Sequence, residues 1–208
     1  MSLRAVIFDF GGVLCFPPTT TQLAAAAALC GLAPPEFVAA FWRKRREYDR
    51  GTDPAIYWRD IGDSCPRPFD GAMVAEMTRR EIDFWSHFDQ RLFDWIADLR
   101  DAGLRTGILS NLPRPLGEHL RQIPGFLDHF DQVTFSYELG FIKPEPEIYQ
   151  YALQGLNVAP SEALFLDDRE ENIDGARQLG IRAELFTTWE DWLARLQTAP
   201  ELALLRQG

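Results

Sequence analysis

Cysteine is scarce: Cys15, Cys30 and Cys65 are the only three in 208 residues. They are odd in number, far apart and free of CxxC spacing, which argues for a reducing compartment and against a zinc site. No apolar run approaches the ~20 residues that a membrane-spanning helix needs. No signal peptide is visible ahead of the first strand-like segment, so the expectation is a cytoplasmic protein that meets no membrane. Basic residues are outnumbered, 21 Lys and Arg against 31 Asp and Glu for a formal charge of −10. A nucleic acid is repelled overall by that balance, whereas a small phosphate ester can still bind in a locally positive pocket. Repeats and low-complexity tracts are absent, and the alanine run at 24–28 is simply good helix former. His87, His119 and His129 are scattered and fit no ligand spacing.

The residues that are present describe a globular protein, with 46% hydrophobic and 25% charged side chains. Short β-branched and aromatic segments, RAVIF (4–8), RTGILS (105–110), QVTFSY (132–137), ALFLDD (163–168) and RAELF (182–186), alternate with helical stretches. That alternation predicts βαβ units and a parallel sheet. Gly103 and Gly180 stand where helices end before the next strand, and Pro115 and Pro146 stand where helices begin. The stretch from Phe16 to Phe88 is too long for one crossover and carries helical patterning with Pro or Gly at its breaks. The predicted fold is therefore α/β: a Rossmann-like parallel sheet of about five strands, formed by 1–15 and 89–208, with a small helical cap, 16–88, inserted after the first strand. Six tryptophans, several at helical spacing in that insertion, read as core.

Ligands of parallel α/β sheets bind beyond the carboxyl ends of the strands. Polar residues at those ends are Asp9, Ser110 and Asn111, and the pair Asp167 and Asp168; a further loop carries Lys143 in GFIKPEPEIY. Taken singly, Asp9 reads as an acid capping a turn, Ser110-Asn111 as a turn, and Lys143 as a surface lysine. Two adjacent acids after an apolar run repel one another and suit a hard, oxygen-seeking cation, most simply Mg²⁺. Taken as a set, the residues supply a nucleophilic carboxylate, a metal between acids, and a hydroxyl and an ammonium for phosphate oxygens.

Four segments, VIFDFGGVL, ILSN, GFIKPEPEIY and LFLDDREENIDGA, resemble in order and spacing the motifs of the haloacid dehalogenase superfamily, and the insertion resembles its helical cap subclass. The resemblance implies that Asp9 forms an aspartyl-phosphate while Ser110 and Lys143 hold the phosphoryl oxygens. It implies that Asp168 ligates Mg²⁺ directly, that Asp167 acts through water or by orienting Lys143, and that the main-chain oxygen at Gly11 serves the metal. Asn111 and Asn172 fall inside the motifs as supporting residues, with Asn111 also a candidate for substrate binding.

One position departs from the pattern. Phosphatases of this family usually carry a second Asp two residues after the nucleophile, as general acid and then base; here it is Gly11. General acid–base catalysis is worth about 10²–10⁴ in rate. The departure leaves a slow enzyme, one restricted to good leaving groups such as sugar-1-phosphates or aryl phosphates, or one whose proton comes from water, substrate or the cap. In the cap, FWRKRREYDRG (41–51) holds five basic residues. Most read as a solvated face, with Arg46 or Arg50 as candidates to meet a substrate anion. The expected function is a Mg²⁺-dependent phosphatase of a small phosphorylated metabolite, monomeric or dimeric. The alternatives are a metal-independent 2-haloacid dehalogenase, disfavoured by Asp167 and Asp168, and a binding module of the same fold with little turnover.

Overall fold

The computed structural model describes residues 3–198 and residue 205. In chain order the elements are β1 (Ala5–Phe8), the helices α1 (Thr20–Cys30), α2 (Pro34–Arg43), α3 (Arg45–Asp49), α4 (Pro54–Gly62), α5 (Gly71–Phe84) and α6 (Gln90–Asp101), then β2 (Arg105–Ser110) and α7 (Arg114–Gln122). These are followed by β3 (Gln132–Phe135), α8 (Ser136–Leu139), α9 (Pro146–Leu156), β4 (Ala163–Asp167), α10 (Glu170–Gln178), β5 (Arg182–Leu185) and α11 (Trp189–Thr198). The five strands form one parallel sheet in the order β3-β2-β1-β4-β5.

Side chains alternate across a strand, so the buried β1 feeds two layers. Val6 and Phe8 enter a layer with Trp95, Ile96 and Leu99 of α6 and Trp192 of α11, where Phe8 meets Trp95 edge to face at 5.6 Å. Ala5 and Ile7 enter a second layer with Ile148, Tyr149 and Ala152 of α9 and Ile173 and Ala176 of α10. Each fully buried Leu, Ile or Phe contributes roughly 1.5–3 kcal/mol of transfer free energy. This double burial explains why the strands read as continuous apolar runs. Because β2 lies on one side of β1 and β4 on the other, the crossovers part at the carboxyl end of β1, the place where such sheets bind ligands.

Five helices, α1 to α5, form the insertion after β1, as the sequence predicts. Where the insertion begins and ends the chain pairs with itself: Phe16 N–H donates to His87 O (2.9 Å) and Asp89 N–H to Leu14 O (3.0 Å). Thr19 caps α1 in a reciprocal box with Gln22, and Gly31 closes it at φ 68°. Phe37, Phe41, Trp58, Met77 and Phe84 of the insertion are buried in one apolar cluster that is continuous with Val6, Phe8 and Trp95 of the sheet layer. Buried Tyr57 stacks on Tyr48 at 3.9 Å between centroids.

Strands β1, β4 and β5 are each one residue shorter than the segments read from the sequence, and two elements differ by more. The third strand stops at Phe135 rather than Tyr137, because the Ser136 hydroxyl accepts from Leu112 N–H (3.0 Å) and donates to Asp49 O (2.5 Å), drawing the chain into α8. The helical stretch 34–51 is broken at Lys44 (φ −120°). The break sends Arg43 and Lys44 out to Asp60 and turns Arg45 inward to Asp49 and Glu81. No single described helix is long and apolar enough to cross a membrane.

Candidate active site

Four elements deliver polar groups to one cleft at the carboxyl edge of the sheet. Asp9 follows β1, Ser110 ends β2, Asp168 follows β4, and Lys143 comes from the loop ahead of α9; all four line the cleft together with Asn111 and Asn172. The turn after β1 is shaped for close approach. Gly12 lies at φ +79°, and a β-carbon there would stand 2.3 Å from Asp168 Oδ2, so only glycine lets that carboxylate reach the backbone.

Lys143 is 1% exposed and bridges two acids, its Nζ lying 2.7 Å from Asp9 Oδ1 and 2.7 Å from Asp167 Oδ2. Asp9 Oδ1 also accepts from Phe10 N–H at 2.7 Å. Asp167 is wholly buried and takes further hydrogen bonds from Arg169 N–H (2.9 Å) and from Asn172 Nδ2 at both oxygens (2.9 and 3.0 Å). Those four contacts occupy its acceptor sites, so Asp167 holds Lys143 in place rather than facing the cleft. Asn111 clasps the lysine loop from the other side: its Nδ2 donates to Lys143 O (3.0 Å) and its Oδ1 accepts from Lys143 N–H (2.8 Å). That clasp commits most of the Asn111 amide to the backbone and leaves little of it for a substrate.

Charge does not balance within this cluster. Asp9, Asp167 and Asp168 present carboxylate oxygens within 4.8 Å of one another, against a single buried ammonium. Burial chiefly, opposed by Lys143 and reinforced by Asp167 and Asp168, pushes the Asp9 carboxyl up to about 7. Partial burial and the neighbouring Asp167 also raise Asp168. Among the described residues no side chain donates a hydrogen bond to Asp168. Asn172 Oδ1 is buried without a partner. Two oxygen donors in excess of the local positive charge, beside an unpartnered amide oxygen, fit a hard divalent cation such as Mg²⁺ and its waters.

The cap contributes Trp42, Arg45, Asp49 and Trp85 to the cleft. The sequence reading expected Arg46 or Arg50 there, and both are placed elsewhere. Arg46 is exposed and does not line the cleft. Arg50 donates to Gly140 O and Glu145 Oε2, both at 2.9 Å, and pairs with the second oxygen of Glu145. The residue turned inward is Arg45, one position away, bound to Asp49 Oδ1 (2.8 Å) and Glu81 Oε1 (2.5 Å). Trp85, read as core, is indeed buried in the apolar cluster, and one edge of its ring also forms the wall over Gly11: a β-carbon there would be 3.0 Å from its Cζ3. No spacing signal separates Arg45 from Arg46, or shows that the core residue Trp85 also borders the cleft, because the helix break at Lys44 and the end of α5 set their directions.

The chain matches the haloacid dehalogenase-like hydrolase family over residues 3–180. It is 29% identical over 205 residues to the D-ribitol-5-phosphate phosphatase of Bacteroides thetaiotaomicron, covering 93% of this chain and 97% of that one. It is 26% identical over 182 residues to a sesquiterpene phosphatase of Aspergillus oryzae, covering 86% and 88%. A solved HAD family enzyme from Bacteroides thetaiotaomicron, in complex with magnesium and inorganic phosphate, superposes with a TM-score of 0.74 at 21% identity over 92% of this chain and 98% of that one. With the four motifs converging on one cleft and the family matched over residues 3–180, this chain belongs to the haloacid dehalogenase-like hydrolases.

Proposed function

We propose that this protein is a Mg²⁺-dependent phosphatase that hydrolyses a small phosphorylated metabolite through an aspartyl-phosphate on Asp9. The observation that carries the reading is the uncompensated cluster: three carboxylates within 4.8 Å and one ammonium. A metal-independent dehalogenase, which binds an anionic substrate, is poorly served by the excess negative charge at Asp168. Similarity to two phosphatases along most of the chain supports the same reaction class.

The residues divide the work as follows. Asp9 attacks phosphorus with a carboxylate oxygen, displacing the alcohol, and water then cleaves the acyl phosphate. Lys143, fixed by Asp167 and Asn111, and the Ser110 hydroxyl hold phosphoryl oxygens in line for that attack. Asp9, Asp168 and the main-chain oxygen of Gly11 would hold the metal, with Asn172 Oδ1 accepting from its water; when bound, the cation neutralises developing charge on the phosphoryl oxygens. The cleft, about 120 Å³ beneath the cap, suits a compact ester.

The test is phosphate release from an aryl phosphate, a sugar-1-phosphate and a sugar-6-phosphate with Mg²⁺ and with EDTA. Release that requires Mg²⁺ is the expected result. Release of halide from a 2-haloacid, with no ester hydrolysed, would replace this reading by the dehalogenase.

A further inference from the structure

A phosphatase of unactivated esters must protonate the departing alkoxide, and the usual place for that acid is closed here. Gly11 carries no side chain, and the Trp85 ring, 3.0 Å from the site of its missing β-carbon, fills the space an acid would take. Among the described residues, one carboxyl group besides Asp9 and Asp168 lines the cleft, that of Asp49 at the end of α3.

Asp49 is held there from two sides. Its main-chain oxygen accepts from the Ser136 hydroxyl at 2.5 Å, and that hydroxyl in turn accepts from Leu112 N–H at 3.0 Å, two residues beyond Ser110. The cap acid is thereby tied to the loop that carries the phosphate-holding serine. Its side chain belongs to a buried trio: Arg45 Nε lies 2.8 Å from Asp49 Oδ1, and Arg45 Nη1 lies 2.5 Å from Glu81 Oε1, with all three side chains at most 9% exposed. Two carboxyl groups share one guanidinium, so the buried trio is neutral only when one of them keeps a proton. Of the two, Glu81 is sealed among α5 and its neighbours, while Asp49 opens on the cleft.

We infer that Asp49 is the general acid and base that replaces the missing residue at position 11. The inference rests on the phosphatase reading above. In the first half-reaction Asp9 Oδ forms a bond to phosphorus, the P–O bond to the leaving group breaks, and the Asp49 carboxyl gives its proton to that oxygen, releasing a neutral alcohol. In the second, water attacks phosphorus, its proton passes to the Asp49 carboxylate, and the bond to Asp9 breaks. Phosphate leaves with Asp9 ionised and Asp49 protonated again. The charged and titratable groups around Asp49 are Arg45 on its own helix, Glu81 of α5, Tyr57 of α4, and Arg169 and Lys143 across the cleft. Burial holds its carboxyl above the usual range against the pull of Arg45, Arg169 and Lys143, which keeps the proton available nearer neutral pH.

The experiment compares kcat/KM for phosphate esters running from nitrophenol to simple alkyl alcohols, in the wild type and in Asp49→Asn, with Mg²⁺ present. Asp49→Asn is expected to lose about 100-fold or more on alkyl phosphates and to leave nitrophenyl phosphate, whose leaving group needs no proton, nearly unchanged in kcat/KM. Asp49→Glu is expected to recover part of the alkyl activity. Equal losses on all esters, or an unchanged alkyl ester, overturn the assignment. A second readout needs no variant: wild-type kcat/KM depends only weakly on leaving-group pKa if an acid protonates the leaving oxygen, and a steep dependence overturns the inference while leaving the phosphatase standing. Failure of the wild type to release phosphate from any ester overturns both readings.

Discussion

The indole of Trp85 lies against the backbone of Gly11, its Cζ3 3.0 Å from where a β-carbon would be placed. An aspartate introduced at that position has to push its carboxylate into the ring. Gly11→Asp alone is therefore expected to destabilise the protein by about 1–3 kcal/mol, the usual cost of overpacking, and to add no alkyl phosphatase activity. From sequence alone, an acid at position 11 is expected to widen the range of leaving groups if the missing acid is the limitation; the structure makes that conditional on trimming Trp85 as well. Thermal denaturation of Gly11→Asp, Trp85→Ala and the double variant measures the coupling. The aspartate is expected to cost less when the ring is gone, by about 0.5–3 kcal/mol.

Asp9→Asn is expected to abolish turnover and to change the pH dependence of stability. Asp9 ionises near 3.8 in an unfolded chain and at about 7 in the folded protein. Between those values the folded state holds an extra proton, so stability falls as pH rises through the window, and the loss is complete above pH 7. An asparagine has nothing to ionise. Without metal, the Tm of Asp9→Asn minus that of the wild type is thus expected to grow from pH 4 to pH 8 and then level, by at least about 1 kcal/mol or a few degrees. A difference that is flat with pH would contradict this.

Mg²⁺ is expected to stabilise the protein more at pH 8 than at pH 5.5. The cation needs ionised carboxylates, and below about pH 7 it must displace the proton on Asp9. Apparent affinity should fall by up to about tenfold per pH unit below 7. Titration calorimetry at three pH values checks this, and an affinity independent of pH would remove Asp9 from the coordination sphere.

The sheet, and most of the polar side chains that line its carboxyl edge, were legible because they follow from local rules. Strands buried on two faces read as apolar runs, and Asp9, Ser110 and Asp168 sit at their carboxyl ends, whereas Lys143, in the loop between α8 and α9, was legible only through the motif GFIKPEPEIY. The division of labour between Asp167 and Asp168 was only partly visible. What separates them is the ring of donors from Lys143, Asn172 and the Arg169 backbone, of which Lys143 is 24 residues away in the chain and the others are near neighbours. The cap side of the cleft was not legible. Which of Arg45, Arg46 and Arg50 turns inward depends on the helix break at Lys44, and the place of Trp85 depends on where α5 stops.

The basic segment yields a further contrast. Arg50 reaches from the cap to Glu145 and Gly140, and Glu145 Oε2 in turn accepts from Ile142 N–H at 3.1 Å. The contact clips the cap to the loop that carries Lys143. Both partners are partly exposed, so Arg50→Ala is expected to cost no more than about 1 kcal/mol in stability while lowering kcat/KM through loss of the clip. Arg46 does not line the cleft and acts on Glu145 only through its charge, so Arg46→Ala is expected to lower kcat/KM less than Arg50→Ala. Steady-state kinetics and thermal denaturation of the two variants side by side check both statements.

The most direct test of the account asks whether Asp9 carries the phosphoryl group. The protein is mixed with an aryl phosphate and Mg²⁺, quenched in acid within a turnover, and the peptide containing residue 9 is analysed by mass spectrometry. One phosphoryl group on Asp9, absent with EDTA and absent in Asp9→Asn, is the expected result. Phosphate release by the wild type with no phosphorylation of Asp9, or continued turnover by Asp9→Asn, would contradict it.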